Sequence, residues 1–323
     1  MLTIDKVYSA RNVLKNVIRK TELIPALNLT TNNKLYLKAE NLQKTGSFKI
    51  RGSYFKISRL SQEEKEKGII ASSAGNHAQG VALAAQEEGI PCTICMPDNA
   101  PISKIEATKS YGAKVCLAEG AYDEAYALAS QMADEHGYTF VHPYDDEDVI
   151  AGQGTIGLEI LEDLDDVDAI VVPIGGGGLI SGVAFVAKSL KPDIKIYGVQ
   201  AANASSMVQS IQKGEQLTLD TVNTFADGIA VKHPGDIPFE MVQKYVDEVI
   251  TVNEDEIAAS ILTLLEKQKI IAEGAGAVSV AAVLFDKIPC KDKNVVCIVS
   301  GGNIDVNIID RVITRGLLLS GRK

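Results

Sequence analysis

The chain has 323 residues, 46% of them hydrophobic, and carries 42 acidic against 32 basic side chains for a formal charge of −10. That length exceeds one ordinary core and predicts two lobes, while the acidic balance excludes the basic footprint of a nucleic-acid binder. The start Met1-Leu2-Thr3-Ile4-Asp5 lacks the regions of a secretory signal, and no apolar run approaches the ~18 residues of a membrane span, so a cytoplasmic protein without a membrane partner is expected.

An opening helix is predicted over residues 5–19, where Val7, Ala10, Leu14, Val17 and Ile18 recur at helical spacing. Strand patterns follow at 34–38, 68–71, 92–96, 114–117 and 139–142, and a second series at 168–173, 195–200, 248–252 and 294–299. Helical patterns stand between them at 76–88, 122–135, 179–190, 254–269 and 275–285. Such alternation predicts an α/β fold of two open, mostly parallel sheets wrapped by helices. Residues 53–143 form one compact strand–helix series, expected as a small domain inserted into a large domain of residues 1–52 and 144–323. An insertion of this kind leaves a cleft between the lobes, where ligand sites tend to lie. Cys92 and Cys95 make a C-x-x-C, but within a strand they point to opposite faces, so buried thiols are expected. The five cysteines form no framework, and His136, His142 and His233 show no metal spacing. No metal site is expected.

Four short segments carry the chemistry. Ser47-Phe48-Lys49-Ile50-Arg51-Gly52 puts a lysine just inside a helix start, behind the turn Gln43-Lys44-Thr45-Gly46. A lysine amine condenses with an aldehyde only when neutral, so its pKa must fall through burial or nearby positive charge, which Phe48 and Arg51 can supply. Alone, such a lysine is as often a solvated surface charge. The second segment is Gly175-Gly176-Gly177-Gly178, between an apolar strand and a helix beginning at Leu179. Backbone amides at a helix start form an anion cradle, which four glycines leave open. A flexible turn is the competing reading, but it is costly in chain entropy. A dinucleotide site is excluded, because Ser181 stands at the third glycine position and the next strand ends in Gln200 rather than an acid.

The third segment, Ser72-Ser73-Ala74-Gly75-Asn76-His77-Ala78-Gln79-Gly80, also opens a helix after a strand. Its small residues let a carboxylate approach backbone amides, and Asn76 offers a side-chain amide; an ordinary N-cap by Ser or Asn is the alternative. His77 alone reads as a structural hydrogen-bonding histidine. The fourth is Ser300-Gly301-Gly302-Asn303 at the end of the last strand, where a serine hydroxyl can meet a heterocycle nitrogen or simply fill a turn. The loops Ala226-Asp227-Gly228 and Ala272-Glu273-Gly274-Ala275-Gly276 are weaker candidates for the same cleft.

In this order and spacing the four segments resemble the serine/threonine dehydratase group of enzymes that use pyridoxal 5'-phosphate (PLP), with the likeness running from Thr21 to about Asn303. The resemblance implies a fold-type II PLP architecture with the cofactor between the lobes. It implies Lys49 as the lysine that carries the cofactor and acts as general base, Phe48 as a neighbour of the ring, and Asn76 at the ring's 3' oxygen. Gly175, Gly176, Gly177, Gly178 and Leu179 would bind the phosphate, Ser300 the pyridine nitrogen, and Ser73, Ala74, Gly75, Asn76 and His77 the substrate carboxylate. The implied reaction is deamination of L-threonine, and of L-serine, by β-elimination of water, giving a 2-oxo acid and ammonia.

A racemase of serine or aspartate is the alternative within the group. Animal-type serine racemases have a serine where this chain has Ala74, and carboxylates for a divalent cation where it has Gln200 and Ser206, beside the Ala204 carbonyl; both departures favour dehydration. A homo-oligomer is expected. After Asn303 about twenty residues remain, ending at Arg322-Lys323, too few for a separate regulatory domain. Ile308, Ile309, Val312, Ile313, Leu317, Leu318 and Leu319 give an apolar stripe suited to packing on the large lobe or a partner subunit. A nucleotide effector at an interface is then expected, rather than isoleucine at an appended domain.

Overall fold

The structure is a computed structural model that describes residues 2–30 and 32–319; Met1, Thr31, residues 320–323 and the Leu319 side chain lie outside the described part. Ten strands form two sheets: β1 (Leu23–Pro25), β2 (Lys34–Lys38), β3 (Ile69–Ser72), β4 (Cys92–Pro97), β5 (Lys114–Ala118), β6 (Thr139–Phe140), β7 (Ala169–Pro173), β8 (Lys195–Ala201), β9 (Glu248–Val252) and β10 (Asn294–Ile298). One sheet has the order β1-β2-β10-β7-β8-β9, parallel except for the β1–β2 pair, and the other has the order β5-β4-β3-β6, parallel throughout.

The six-stranded sheet is buried on both faces, as a parallel sheet wrapped by helices must be. Alternation sorts its side chains into two cores: Ala169, Val171, Val295 and Cys297 enter one, and Ile170, Val172, Val296 and Ile298 the other. The four-stranded sheet has its own core around Ile69, Ala71, Ile94 and Met96, with Ile70 and Cys95 on the reverse face. Cys92 packs on the first of these cores and Cys95 lies in the second, so the two thiols do diverge.

The opening helix is shorter than its apolar pattern, running Ile4–Leu14; Val17 and Ile18 still pack on the core, from a turn. The predicted helix at 254–269 divides into an α-helix, Glu254–Thr263, and a π turn, Leu264–Gln268, closed by Lys269 with φ 60°. A long helix, Glu147–Asp163, was not evident from periodicity because it is apolar or small on nearly every face and buried throughout Val149–Leu161. The C-terminal apolar stripe forms the helix Val306–Leu319, with Val312 buried and Leu318 66% exposed. Among the described residues no helix is long and apolar enough to cross a membrane.

Candidate active site

The carboxyl ends of β3, β4, β6, β7 and β10 all open on one cavity of about 1130 Å³. Ligand sites of open α/β sheets lie beyond strand carboxyl ends, and here both sheets aim theirs at the same space. All four sequence segments line it: Phe48 and Lys49; Ser73, Ala74, Gly75, Asn76 and His77; Gly175, Gly176, Gly177, Gly178 and Leu179; and Ser300.

Lys49 begins the helix Lys49–Ser58, and residues before it are tied to the turn after β10. Ser47 forms an antiparallel bridge with Gly301, the Phe48 amide donates to the Ser300 carbonyl at 3.1 Å, and the Gly302 amide donates to Gly46 at 2.9 Å. Two segments some 250 residues apart thereby become one wall. Lys49 Nζ donates to the Pro143 carbonyl at 2.8 Å and lies 5.2 Å from the Phe48 ring centroid. Burial lowers the Lys49 pKa to about 8, against a smaller upward pull from Glu273. Arg51 plays no part in that lowering, contrary to the expectation. Its side chain turns away into a buried cluster, bidentate to both Glu40 and Glu159, with Lys38 Nζ on Glu159 at 2.6 Å.

The glycine run leads into the helix Gly178–Leu190, whose N-cap Gly177 has φ +101° and offers no side-chain cap. Among the described residues, no carbonyl or side chain accepts from the amides of Gly176, Gly177, Gly178 and Leu179. The amides are left open at a helix start, the arrangement the sequence analysis expected of an anion cradle. The reason for glycine is more specific than openness. A Cβ on Gly176 would run into the Tyr144 ring, and one on Gly177 would stand 2.7 Å from the Pro238 side chain. Protein packs against the outer side of the loop and leaves the amides as its free face.

The helix Asn76–Glu88 begins without a side-chain cap as well: Gly75 is its N-cap, and Ser73 Oγ accepts from the Gly75 amide instead. The N-cap alternative for Asn76 is therefore not realised. Asn76 Oδ1 accepts from Asn303 Nδ2 at 2.7 Å, and Asn76 Nδ2 donates to Glu273 Oε1 at 2.5 Å, which leaves one Nδ2 hydrogen for a ligand. His77 Nε2 donates to the Val141 carbonyl at 2.8 Å, and burial pushes its pKa down to about 3, so the ring is neutral and structural. Ser300, 3% exposed, donates to the Ala275 carbonyl at 3.3 Å.

The two loops offered as weaker candidates do reach the cavity through Asp227 and Glu273, though sequence reasoning gave those side chains no individual role, and it missed the lining residues Tyr144 and Lys104. Lys104 Nζ is paired with Asp227 across the cavity mouth. The one signal for Glu273 was a lone acid among small residues in Ala272-Glu273-Gly274-Ala275-Gly276.

Residues 14–301 match the sequence profile of the family described as "Pyridoxal-phosphate dependent enzyme". The chain belongs to this family. The whole chain is 57% identical, over 325 aligned positions and 81% of the relative's length, to a protein named L-threonine ammonia-lyase from Thermotoga maritima. Among solved structures, the processed form of threonine deaminase isoform 2 from Solanum lycopersicum superposes with a TM-score of 0.92 at 38% identity, covering 98% of this chain and 90% of that one. Maize serine racemase superposes with a TM-score of 0.91 at 35% identity, covering 99% of both chains. The fold is that of the fold-type II PLP enzymes, and the family's cofactor fits what the cavity offers. Uncapped amides at a helix start suit a phosphate, and a lysine with a depressed pKa suits an aldehyde.

Proposed function

We propose that the protein deaminates L-threonine, and L-serine, by PLP-dependent elimination of water, releasing 2-oxobutanoate or pyruvate and ammonia. The observation that carries this reading is one cavity joining a lysine of depressed pKa to the uncapped amides of the glycine loop. The 57% identity to a protein named L-threonine ammonia-lyase supports threonine as substrate.

In this reading Gly175, Gly176, Gly177, Gly178 and Leu179 hold the cofactor phosphate, Phe48 lies beside the ring, Asn76 meets the ring oxygen with its remaining amide hydrogen, and Ser300 meets the ring nitrogen. Amides of Ser73, Ala74, Gly75, Asn76 and His77 bind the substrate carboxylate. Bound PLP supplies an electron sink for the substrate Cα. Lys49 holds the cofactor and then takes the α-proton at Nζ; a pKa of about 8 leaves a usable neutral fraction near neutral pH. Ser300 would offer the ring nitrogen a neutral hydroxyl rather than a carboxylate, which suits elimination better than transamination.

The large domain of residues 1–52 and 144–323 and the small domain of 53–143 belong to the same proposal. Every strand of the four-stranded sheet falls within 53–143, and the helix Lys49–Ser58 joins the two. A homo-oligomer is supported by the exposed Val306 and Leu318 on the C-terminal helix, at 78% and 66%. A nucleotide effector at a subunit interface and a cytoplasmic setting complete the reading; titrating AMP against threonine turnover tests the first of these.

The likeness to maize serine racemase keeps serine racemisation as the second reading. Against it, Ala74 offers no hydroxyl, and Gln200 is spent on the Val208 amide and the Ile174 carbonyl. Incubating the PLP-loaded protein with L-threonine, L-serine and D-serine, while following 2-oxo acid and enantiomer together, separates the two. Rapid 2-oxobutanoate formation without D-serine supports the lyase; enantiomer exchange without 2-oxo acid would overturn it.

A further inference from the structure

Glu273 is the one buried carboxyl lining the cavity among the described residues, and it makes no ion pair. It is 4% exposed, stands at the start of the helix Gly274–Leu284, and receives hydrogen bonds only from amides, those of the Asn76 side chain and the Asn303 backbone. The charged groups facing it are otherwise committed. Lys104 and Asp227 pair with each other, and Lys49 Nζ donates to the Pro143 carbonyl. A buried carboxylate with neutral partners alone is costly, and the group relieves that cost by keeping its proton.

The molecule also makes room for this carboxyl. A Cβ on Gly301 would collide with Glu273 Oε1 and stand 3.0 Å from Asn76 Nδ2, so the second residue of the Ser300-Gly301-Gly302-Asn303 turn clears the space in which the two meet. On the other side, a Cβ on Gly228 would lie 3.5 Å from the same oxygen. Asn303, the last residue of that turn, grips the opposite end of the Asn76 amide. The turn after β10 therefore builds a Asn303–Asn76–Glu273 relay as well as presenting Ser300.

We propose that Glu273 is a positioning residue of the PLP site, which fixes the Asn76 amide in one orientation and serves as a neutral acid whose loss of a proton weakens cofactor binding. The proposal rests on reading the cavity as the PLP site. Its electrostatic logic is direct: PLP is an anion, and an ionised carboxylate beside Asn76 adds a like charge to the space the anion must enter. Burial and Asp227 push the Glu273 pKa up to about 7, against downward pulls from Asn76, Lys104 and Asn303, which sets the pH at which the effect begins.

The test is the PLP dissociation constant of the full-length protein and of Glu273→Gln, measured by equilibrium dialysis in amine-free buffer between about pH 5.5 and about pH 8.5. Glutamine keeps an acceptor for Asn76 and cannot ionise. Below pH 7 the two proteins should bind alike. Above it the ratio of wild-type to variant dissociation constants should climb, by up to about tenfold per pH unit. A ratio that stays constant across the range would overturn the proposal. Infrared difference spectra of the wild type, with and without ¹³C-glutamate labelling, provide a second measurement that needs no variant. A protonated-carboxyl band that vanishes as pH rises through 7 is expected, and absence of that band at every pH would overturn the proposal. Failure of the wild type to bind PLP at any pH would overturn the cofactor reading itself, and this proposal with it.

Discussion

At the scale of single residues, the site depends on how far a few groups are shifted from their behaviour in water. Lys49 is the clearest case, because burial brings its amine to about 8 without any help from Arg51. Lys49→Ala should lose the near-visible absorbance of the bound cofactor and drop turnover by at least ~10²–10⁴, the usual cost of a missing base. Full turnover by the folded variant would remove Lys49 from the chemistry. Ser300→Asp puts a carboxylate where a hydroxyl now meets the Ala275 carbonyl at 3.3 Å. A charge there would hold a proton on the ring nitrogen, so slower elimination and a longer-wavelength cofactor band are expected; an unchanged spectrum would place Ser300 away from the ring. That Lys49, the glycine run and Ser300 would line one cleft was legible because each sits in a local pattern of strand end, turn and helix start. Glu273 was not, since its role comes from a partner 197 residues away and from a burial that no neighbouring residue announces.

At the scale of elements, the helix Lys49–Ser58 is pinned by charge inside the protein. Arg51 is fully buried and reaches Glu40 and Glu159 through five nitrogen–oxygen contacts with the Thr155 hydroxyl included, while Lys38 completes the balance of two positive and two negative groups. Arg51→Met leaves Glu40 buried without a counter-charge and should cost about 3–5 kcal/mol, read as a lower urea midpoint at unchanged slope. A loss within about 1 kcal/mol would mean that water enters to solvate the cluster. The same helix shows what sequence periodicity misses. Its neighbour Glu147–Asp163 crosses it closely at Gly152, where a Cβ would stand 2.6 Å from the Arg51 carbonyl, and that helix is buried on nearly all sides. A helix with no solvent face has no apolar stripe to read. The parallel strands were legible to within a residue or two, because each is a short apolar run between turns, whereas β1 (Leu23–Pro25), three residues long, antiparallel to β2 and at the sheet edge, was missed.

Taken as a whole, the molecule sets two buried titrations against each other. Glu273 has its folded pKa raised from 4.5 to about 7, so the folded state binds the extra proton and stability falls as pH rises through that window. His77 has its folded pKa lowered from 6.5 to about 3, so the unfolded state binds the extra proton and stability falls as pH drops through that window. Between about 4.5 and 6.5 the two slopes oppose, and the cofactor-free protein should show a shallow dependence of melting temperature on pH there. Glu273→Gln removes one slope, so its melting temperature should gain on the wild type from pH 4.5 to 7 and then run parallel; profiles parallel throughout would contradict the Glu273 titration. The central claim is that both sheets direct their strand ends at a cavity in which Lys49 carries PLP. Borohydride reduction of the PLP-loaded protein, followed by tryptic peptide mapping, tests it most directly. The reduced cofactor should appear on Thr45-Gly46-Ser47-Phe48-Lys49-Ile50-Arg51, left uncut at the modified lysine. Label on any other lysine, or none at all, would contradict it.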